Sequence, residues 1–157
     1  DTERDALYQT VTYDMRAYRL KVPNGAYLVR LQFCEPHYAE AGKRVFGVAL
    51  QGRKAIDKLD IFATVGRNRA MDYAFPGVEV SNGILEIQFD SIVEFPCLAA
   101  FAIEGNGATR RINCGGPDYT DETGALWAAD QPFTAGGWGY VGGRSSYASL
   151  ARSGGTN

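Results

Sequence analysis

Four carboxylates in this sequence are candidates for general acid–base chemistry: Glu35, Glu40, Asp90 and Glu94. Hydrolysis of a glycosidic bond needs two carboxyl groups roughly 5 to 10 Å apart, one of which has a raised pKa. No local signature in the sequence pairs any two of these four groups. The carboxylates by themselves therefore give little support to a hydrolase.

The sequence also has few of the residues that nucleophilic catalysis or metal binding requires. The chain has one histidine, His37, and no Gly-x-Ser-x-Gly nucleophile elbow, so a Ser-His-Asp hydrolase is not indicated. The three cysteines, Cys34, Cys97 and Cys114, form no Cys-x-x-Cys pair, so a structural zinc site would lack ligands. We expect each cysteine to be a small buried apolar residue, with a Cys97 to Cys114 disulfide as the alternative.

One acidic stretch has the oxygen ligands that calcium prefers. It reads Asp118-Tyr119-Thr120-Asp121-Glu122. Asp and Thr side chains also cap tight turns through hydrogen bonds to nearby backbone groups. We expect turn capping and no cofactor here, and structural calcium remains the alternative.

Aromatic residues in polar or glycine-rich segments are candidates for ligand contact, because exposed apolar surface usually has a function. Trp138 and Tyr140 lie in the glycine-rich segment Gly136 to Gly143. They either extend a binding site or pack beneath it, and we expect packing. Trp127 is expected in the core.

The composition excludes several classes of protein. The chain has 157 residues, 45% of them hydrophobic and 22% charged, which is typical of one folded domain. Lys and Arg total 16 against 18 for Asp and Glu, so a net charge of -2 gives no electrostatic basis for binding nucleic acid. No apolar run has the roughly 20 residues needed to cross a bilayer. The first residues do not resemble a signal peptide, so we expect any export signal to have been removed or to lie elsewhere.

Alternation of apolar and polar residues predicts two β-hairpins. The first covers residues 18–33 and turns at Asn24-Gly25. The second covers residues 78–89 and turns at Asn82-Gly83. An Asn-Gly pair between two alternating runs is the strongest local signal for a hairpin.

Other segments extend this β pattern. A strand over Val45 to Leu50 ends at a tight turn, Gln51-Gly52, and the apolar run 97–103 is typical of a central strand. No segment has a sustained 3.6-residue apolar period. Short strands without crossover helices predict an all-β fold, an antiparallel β-sandwich of the jelly-roll kind.

The last third of the chain has a different character. From Gly105 onward Gly, Ser, Thr and Asp dominate, and only Arg110 to Asn113 is predicted as a strand. This tail has too few apolar residues for a core of its own. It must therefore pack on the sandwich, so that residues 1–157 form one domain.

Two groups of segments resemble the malectin family of carbohydrate-binding modules. The family's opening segment is similar to Arg111-Ile112-Asn113-Cys114-Gly115-Gly116, followed by Tyr119-Thr120-Asp121, Gly124, Trp127 and Asp130. Its middle and closing strands are similar to Leu7-Tyr8-Gln9-Thr10, Val22-Pro23-Asn24-Gly25-Ala26-Tyr27, Phe33-Cys34-Glu35, Lys43-Arg44-Val45-Phe46-Gly47-Val48 and Leu59-Asp60-Ile61.

The order of these segments implies a circular permutation. Residues 1–104 correspond to the middle and closing strands, 105–109 join the old ends, and 110–157 correspond to the opening segment. Termini that lie close together make such a rearrangement physically easy. A natural permutation, an engineered one and a fragment of two tandem copies all fit. We expect a monomer, and the third origin would allow strand-swapped dimers.

The resemblance implies a non-catalytic sugar site built from loops at one edge of the sandwich. Aromatic rings stack on the C–H faces of sugars, and a carboxylate accepts from their hydroxyl groups. The family's binding positions fall on Tyr13, His37, Tyr38, Glu94 and Tyr147. Phe95 offers a further stacking face.

The resemblance implies binding of an oligosaccharide or polysaccharide, of glucan or galactan type, in a secreted or periplasmic setting. Nucleic acid and membranes are not expected partners. The alternative is a structural or interaction module of a larger glycoside hydrolase, which contacts neighbouring domains and has no sugar site of its own.

Overall fold

Alternating segments form short strands throughout the computed structural model, which describes residues 5–146. The strands within this range are β1 (Val11–Tyr13), β2 (Ala17–Lys21), β3 (Gly25–Phe33), β4 (Val45–Leu50), β5 (Arg53–Leu59), β6 (Met71–Val80), β7 (Ile84–Val93), β8 (Cys97–Leu98), β9 (Ala100–Gly105), β10 (Ala108–Asn113), β11 (Tyr119–Thr120), β12 (Leu126–Ala129), β13 (Trp138–Val141) and β14 (Arg144–Ser146). A 3₁₀ helix covers Asp5–Tyr8, and helix α1 covers Ile61–Val65. Neither is long enough to cross a membrane.

The strands form two large sheets and one small one. The six-stranded sheet has the order β11-β12-β10-β9-β3-β6, and the five-stranded sheet has the order β13-β2-β7-β4-β5. A three-stranded sheet, β14-β1-β8, lies beside them. Neighbouring strands are antiparallel except for the parallel pair β10 and β12.

The two large sheets bury their apolar faces against each other. Tyr18 of β2 packs on Phe101 of β9 with ring centroids 4.8 Å apart, and Phe33 of β3 packs on Phe46 of β4 at 5.9 Å. All four rings are fully buried. The prediction of an all-β sandwich is confirmed, because each of these contacts joins one sheet to the other.

Both predicted Asn-Gly hairpins are wrong, although their strands exist. β2 pairs with β7 and β13, whereas β3 pairs with β6 and β9, so residues 18–33 cross from one sheet to the other. Residues 78–89 cross in the same way, because β6 and β7 lie in different sheets. Alternation shows that one face of each strand is buried, but a hairpin and an arch between facing sheets bury that face equally well.

The two arches are bonded to each other, which explains why their Asn-Gly pairs do not close hairpins. Asn24 Oδ1 accepts from the Gly83 amide at 2.8 Å, and the Val22 amide donates to the Gly83 carbonyl at 3.0 Å. A type I′ hairpin needs left-handed φ values at both turn residues. Gly25 has a φ of 145°, which is outside that conformation.

True hairpins form at two other turns. β4 and β5 pair around Gln51 and Gly52, with φ values of 53° and 75°, which confirms the predicted tight turn. β9 and β10 pair around Asn106 and Gly107, with φ values of 52° and 73°. The segment that the sequence suggests as a join between old termini is thus a two-residue turn.

The tail is richer in strands than predicted. β10 to β14 all lie after Gly105, and they contribute to all three sheets. The glycine-rich segment 136–143 contains strand β13, which pairs with β2, so it is not simply a loop. The apolar run 97–103 is divided between β8 and β9, and β9 is central in the six-stranded sheet.

All three cysteines are free and fully buried, so the Cys97 to Cys114 disulfide does not form. Burial raises the pKa of Cys34 and of Cys97 to about 12, and it also raises that of Cys114 well above its ordinary value. The thiols are therefore protonated and unreactive at neutral pH. Their role as small apolar core residues is confirmed.

The fold predicts that Gly115→Ala is far more damaging than Gly52→Ala. The two glycines have φ values of 74° and 75°, so the backbone cost of alanine is similar, about 1 kcal/mol. A Cβ at Gly115 would lie within 2.1 Å of the Val11 carbonyl oxygen, whereas nothing lies within 4 Å at Gly52. Gly115→Ala should lose about 2 kcal/mol more in urea unfolding. Equal losses would mean that the tail does not pack on β1.

Candidate functional site

Three segments meet at one end of the sandwich. They are the end of β1, the chain between β3 and β4, and the connection between β7 and β8. β1 and β8 pair so that Tyr13 lies opposite Cys97, and the Asp14 amide donates to the Pro96 carbonyl at 3.0 Å. This pairing fixes the end of β1 beside Glu94 and Phe95. Four of the five predicted site residues lie in these segments.

A buried ion pair holds two of these segments together. Glu35 lies two residues after the buried end of β3 and is 1% exposed, and Arg44 directly precedes β4 and is 8% exposed. Arg44 Nε lies 2.7 Å from Glu35 Oε1, and Arg44 Nη1 donates to the Phe95 carbonyl at 2.6 Å. The guanidinium group thus connects β3, β4 and the β7–β8 connection.

The same carboxylate shapes the loop that carries His37 and Tyr38. Glu35 Oε2 accepts from the His37 amide at 3.1 Å and from the Tyr38 amide at 3.2 Å. The Glu35 carbonyl accepts from the Asn68 amide at 2.8 Å. The backbone at His37 and Tyr38 is therefore fixed by a charged acceptor, which is a strong kind of hydrogen bond.

Tyr38 occupies the middle of the cluster. Its ring is half-buried, the Arg44 guanidinium lies 5.2 Å from its centroid, and its hydroxyl donates to Glu94 Oε1 at 3.4 Å. Partial burial, and after it the negative charge of Glu94, raise the pKa of Tyr38. Its hydroxyl therefore stays protonated and can donate hydrogen bonds at neutral pH.

Other rings surround Tyr38 at the surface. The exposed ring of His37 meets Tyr38 edge to face, with centroids 4.6 Å apart. Tyr13 is half-buried, and its ring centroid lies 6.3 Å from that of Phe95, which is 43% exposed. The resulting surface offers aromatic faces and edges together with the exposed carboxylate of Glu94.

Two residues of this surface have left-handed backbone. Glu94 has a φ of 57° and Asp14 a φ of 63°. A non-glycine residue in this conformation costs about 1 kcal/mol or more, and such residues cluster at functional sites. The conformation at Glu94 turns the chain sharply between the exposed end of β7 and the buried Pro96.

Four other aromatic residues were singled out from the sequence. Tyr147 lies outside the described residues. Trp138 and Tyr140 are half-buried on β13, at the edge of the five-stranded sheet, and Tyr140 packs edge to face on Tyr18 at 6.2 Å. Trp138 and Tyr140 are thus packing residues, as expected. Trp127 is buried, as predicted.

The acidic stretch 118–122 is built for turn capping. Asp121 accepts from the Thr123 amide, from the Ala125 amide and from Trp127 Nε1, all between 2.9 and 3.0 Å. Asp118 accepts from the Ala129 amide at 2.7 Å. The Thr123 hydroxyl, which donates to Asp121 at 2.6 Å, lowers the pKa of Asp121 most, and the Trp127 and backbone donors lower it further. Within residues 5–146, no group of three or more His, Cys, Asp or Glu side chains is arranged to hold a metal ion.

Sequence reasoning missed the central part of this arrangement. Arg44 was not singled out, and Glu35 was considered only as a candidate acid for hydrolysis. Glu35 is instead buried and bonded to Arg44 and to two backbone amides. The available signal was the position of Glu35 directly after the apolar residues Phe33 and Cys34, where an ionised side chain needs a partner.

Comparison with curated proteins finds malectins. Human malectin is 35% identical over 89 residues, which cover 55% of this chain and 30% of that protein. Malectin-B of Xenopus laevis is 32% identical over 89 residues, which cover 55% of this chain and 32% of that protein. The matched part thus spans about a third of the length of these relatives.

Comparison with solved structures finds the same fold in larger proteins. Bacteroides uniformis β-glucuronidase 2 superposes with a TM-score of 0.61 at 21% identity, over 67% of this chain and 12% of that one. The plant receptor-like kinase ANX2 superposes with a TM-score of 0.54 at 22% identity, over 64% of this chain and 32% of that one. The sequence model of the malectin domain matches residues 1–109, more than half of the chain. This chain therefore belongs to the malectin domain family.

Proposed function

We propose that this domain binds a saccharide, without chemical change, at the surface formed by Tyr13, His37, Tyr38, Glu94 and Phe95. We call these five residues the loop site. The observation that carries the proposal is the environment of Tyr38, whose ring lies over Arg44 and whose hydroxyl is bonded to Glu94. A half-buried ring fixed on both sides is a rigid platform that loses little entropy when a sugar stacks on it.

The chemistry of the loop site suits a sugar. The C–H face of a pyranose packs on an aromatic ring, and its hydroxyl groups both donate and accept hydrogen bonds. Glu94 supplies the acceptor, while His37 and the Tyr38 hydroxyl supply polar edges. Tyr147 is proposed as a further contact on the strength of the family resemblance.

The hydrogen bonds and exposure of Glu35 and Glu94 favour binding without hydrolysis. Glu35 is buried and its oxygens are engaged by Arg44 and two amides, so it cannot reach a substrate. Glu94 is exposed and bonded to Tyr38. Glu94 is the one carboxylate among the five residues of the loop site, whereas the paired mechanism of glycoside hydrolysis needs two.

We infer a glucan or another plant or microbial polysaccharide as the ligand. An open site exchanges water for protein hydrogen bonds with little net gain. We therefore expect a dissociation constant in the micromolar to millimolar range, about -8 to -4 kcal/mol. A secreted or periplasmic setting, attached to a larger carbohydrate-active protein, fits the family resemblance.

We further propose that residues 110–157 correspond to the family's opening segment, joined to its closing strand through residues 105–109. Two observations support this order. The family match ends at residue 109, and the strands after it complete all three sheets. A monomer is the simplest form of such a chain, and exchange of the segment between two copies would give a strand-swapped dimer.

A second candidate function is an interaction module without a sugar site. The observation that favours it is the exposure of three apolar residues at the end of β7 and after it. Ile92 is 46% exposed, Val93 39% and Phe95 43%. Apolar surface of this kind also fits contact with a neighbouring domain.

The Tyr38→Ala variant should lose sugar binding and keep its fold. The measurement is affinity electrophoresis through gels that contain β-glucans, xyloglucan, α-glucans, galactans or mannans. We expect one polysaccharide to retard the native protein and the variant to bind it at least about tenfold more weakly, because the stacking ring is gone. Melting temperatures should be similar, since the ring is only half-buried.

The matched control is Tyr38→Phe, which keeps the ring and removes the hydroxyl. It should retain most of the retardation if stacking dominates. If no polysaccharide retards a folded, monomeric native protein, the saccharide proposal fails and the interaction module becomes the better account. If Tyr38→Ala loses retardation and its melting temperature also falls sharply, the loss of binding reflects a packing role of the ring.

Glu35→Ala should destabilise the fold by about 3 to 5 kcal/mol in urea unfolding, because it leaves the Arg44 charge buried without a partner. The double variant Glu35→Met/Arg44→Met removes both charges and should recover most of that stability. It should still not bind sugar, because the His37 and Tyr38 amides lose their acceptor. Recovery of sugar binding in the double variant would show that the ion pair does not position the loop.

A further inference from the structure

A groove separate from the loop site lies on the outer face of the six-stranded sheet, on the side away from the core. The lining strands are β3, β6, β9, β10 and β12, and the volume is about 390 Å³. That volume is within the range of small-ligand sites. The main polar residues are Arg30, Gln32, Asp72, Glu104 and Arg111. None of these residues belongs to the loop site.

The register of the strands explains why a groove forms there. One row across the sheet reads Ala74, Arg30, Ala102, Arg111 on the successive strands β6, β3, β9 and β10. The two alanines alternate with the two arginines, so low floor positions lie beside long charged side chains. The residues that alternate with these on β3, Val29 and Leu31, point into the core and are fully buried.

One buried polar atom in this groove has no partner among the described residues. Gln32 is 5% exposed and lines the groove, and its Oε1 accepts no hydrogen bond there. Its Nε2 donates to the Tyr8 hydroxyl at 3.0 Å, and that hydroxyl donates to Asp72 Oδ1 at 2.5 Å. This relay fixes the orientation of the amide, because Tyr8 must accept from Gln32 in order to donate to Asp72. The acceptor atom of Gln32 therefore lacks a donor, and it is buried just beneath the surface of the groove.

A buried acceptor without a donor is costly, and native proteins keep few of them. A ligand with a hydroxyl donor would satisfy Gln32. The surrounding groups select the rest of the ligand. Arg30 and Arg111 carry two positive charges, Asp72 and Glu104 carry two negative charges, and Arg30 lies 3.7 Å from Glu104 in an exposed ion pair. A balanced set of donors and acceptors favours a neutral molecule with several hydroxyl groups over a phosphate or a carboxylate.

We propose that this groove is a second binding site, for one or two units of a neutral saccharide, and that Gln32 shifts on binding so that its Oε1 accepts from a sugar hydroxyl. The groove does not depend on the loop site for its residues. It takes the same class of ligand by polar contacts rather than by stacking, since Trp127 in its lining is 4% exposed.

The test is a titration of the full chain, labelled with ¹⁵N, with maltose, cellobiose and β-1,4-galactobiose, and with glucuronate as the charged comparison. At least one neutral sugar should shift the Gln32 side-chain amide signal and the backbone signals of Ala102 and Arg111. Glucuronate should bind in the groove no more tightly than the neutral sugars do. The same shifts should persist in Tyr38→Ala, which disables the loop site alone.

Two variants locate the site. Ala74→Leu fills the groove at an exposed position. The apparent dissociation constant obtained from these shifts should rise at least about tenfold. Ala63→Leu makes the same substitution at an exposed position on α1 and should leave them unchanged. Gln32→Leu should abolish them, with the melting curve as a check on its fold.

Three results would overturn the proposal. One is the absence of shifts in the groove with every neutral sugar. A crystal structure grown with these sugars that has only an ordered water on Gln32 would count as the same result. Another is an affinity unaffected by Ala74→Leu. The third is loss of the groove shifts in Tyr38→Ala, which would assign them to the loop site. Failure at the groove with intact loop-site shifts leaves the function proposed above standing.

Discussion

The ion pair between Glu35 and Arg44 is the interaction on which the site depends. Removing two charges from water is costly, and only good geometry with further hydrogen bonds compensates for that cost. Here Arg44 is bonded to Glu35 and to the Phe95 carbonyl, while Glu35 accepts from the amides of His37 and Tyr38. An apolar core could hold the sheets together equally well. It would not fix the β3–β4 loop and the β7–β8 connection in one arrangement, and that arrangement is what a small rigid binding surface requires.

The sequence predicted the kind of secondary structure better than the partners of each strand. Period-two alternation depends on burial of one face, so β2 and β3 were found at nearly the right residues, whereas only the end of β6 and the start of β7 were found. Asn24-Gly25 and Asn82-Gly83 misled because turn residues report local backbone freedom and do not report which sheet the next strand joins. In the tail, β11 and β14 are only two and three residues long. β11 is too short to show alternation, and β14 pairs with β1 at the other end of the described chain, which no local pattern encodes.

Family resemblance predicted the residues of the candidate site, and Tyr13, Tyr38, Glu94 and Phe95 do lie together. The residues that position them were not predicted. Glu35 and Arg44 are nine positions apart across a loop, and no helical or strand spacing joins such positions. The burial of the Gln32 amide was not predicted for a related reason. A glutamine in a strand is expected to face solvent, and the burial of this one depends on Tyr8 and on the neighbouring strands.

Strand β3 contributes to one proposed sugar site and leads directly to the residue that supports the other. Gln32 belongs to the groove, and Glu35, three residues further along, supports the loop site, so the two supports are about 10 Å apart along the chain. A rigid sheet between two weak sites keeps their separation constant. For a polymer with repeated units, occupation of the first site then raises the effective concentration of units at the second. Each site can remain weak enough for rapid exchange while the domain stays on the polysaccharide, and this avidity would be lost with short oligosaccharides that reach only one site.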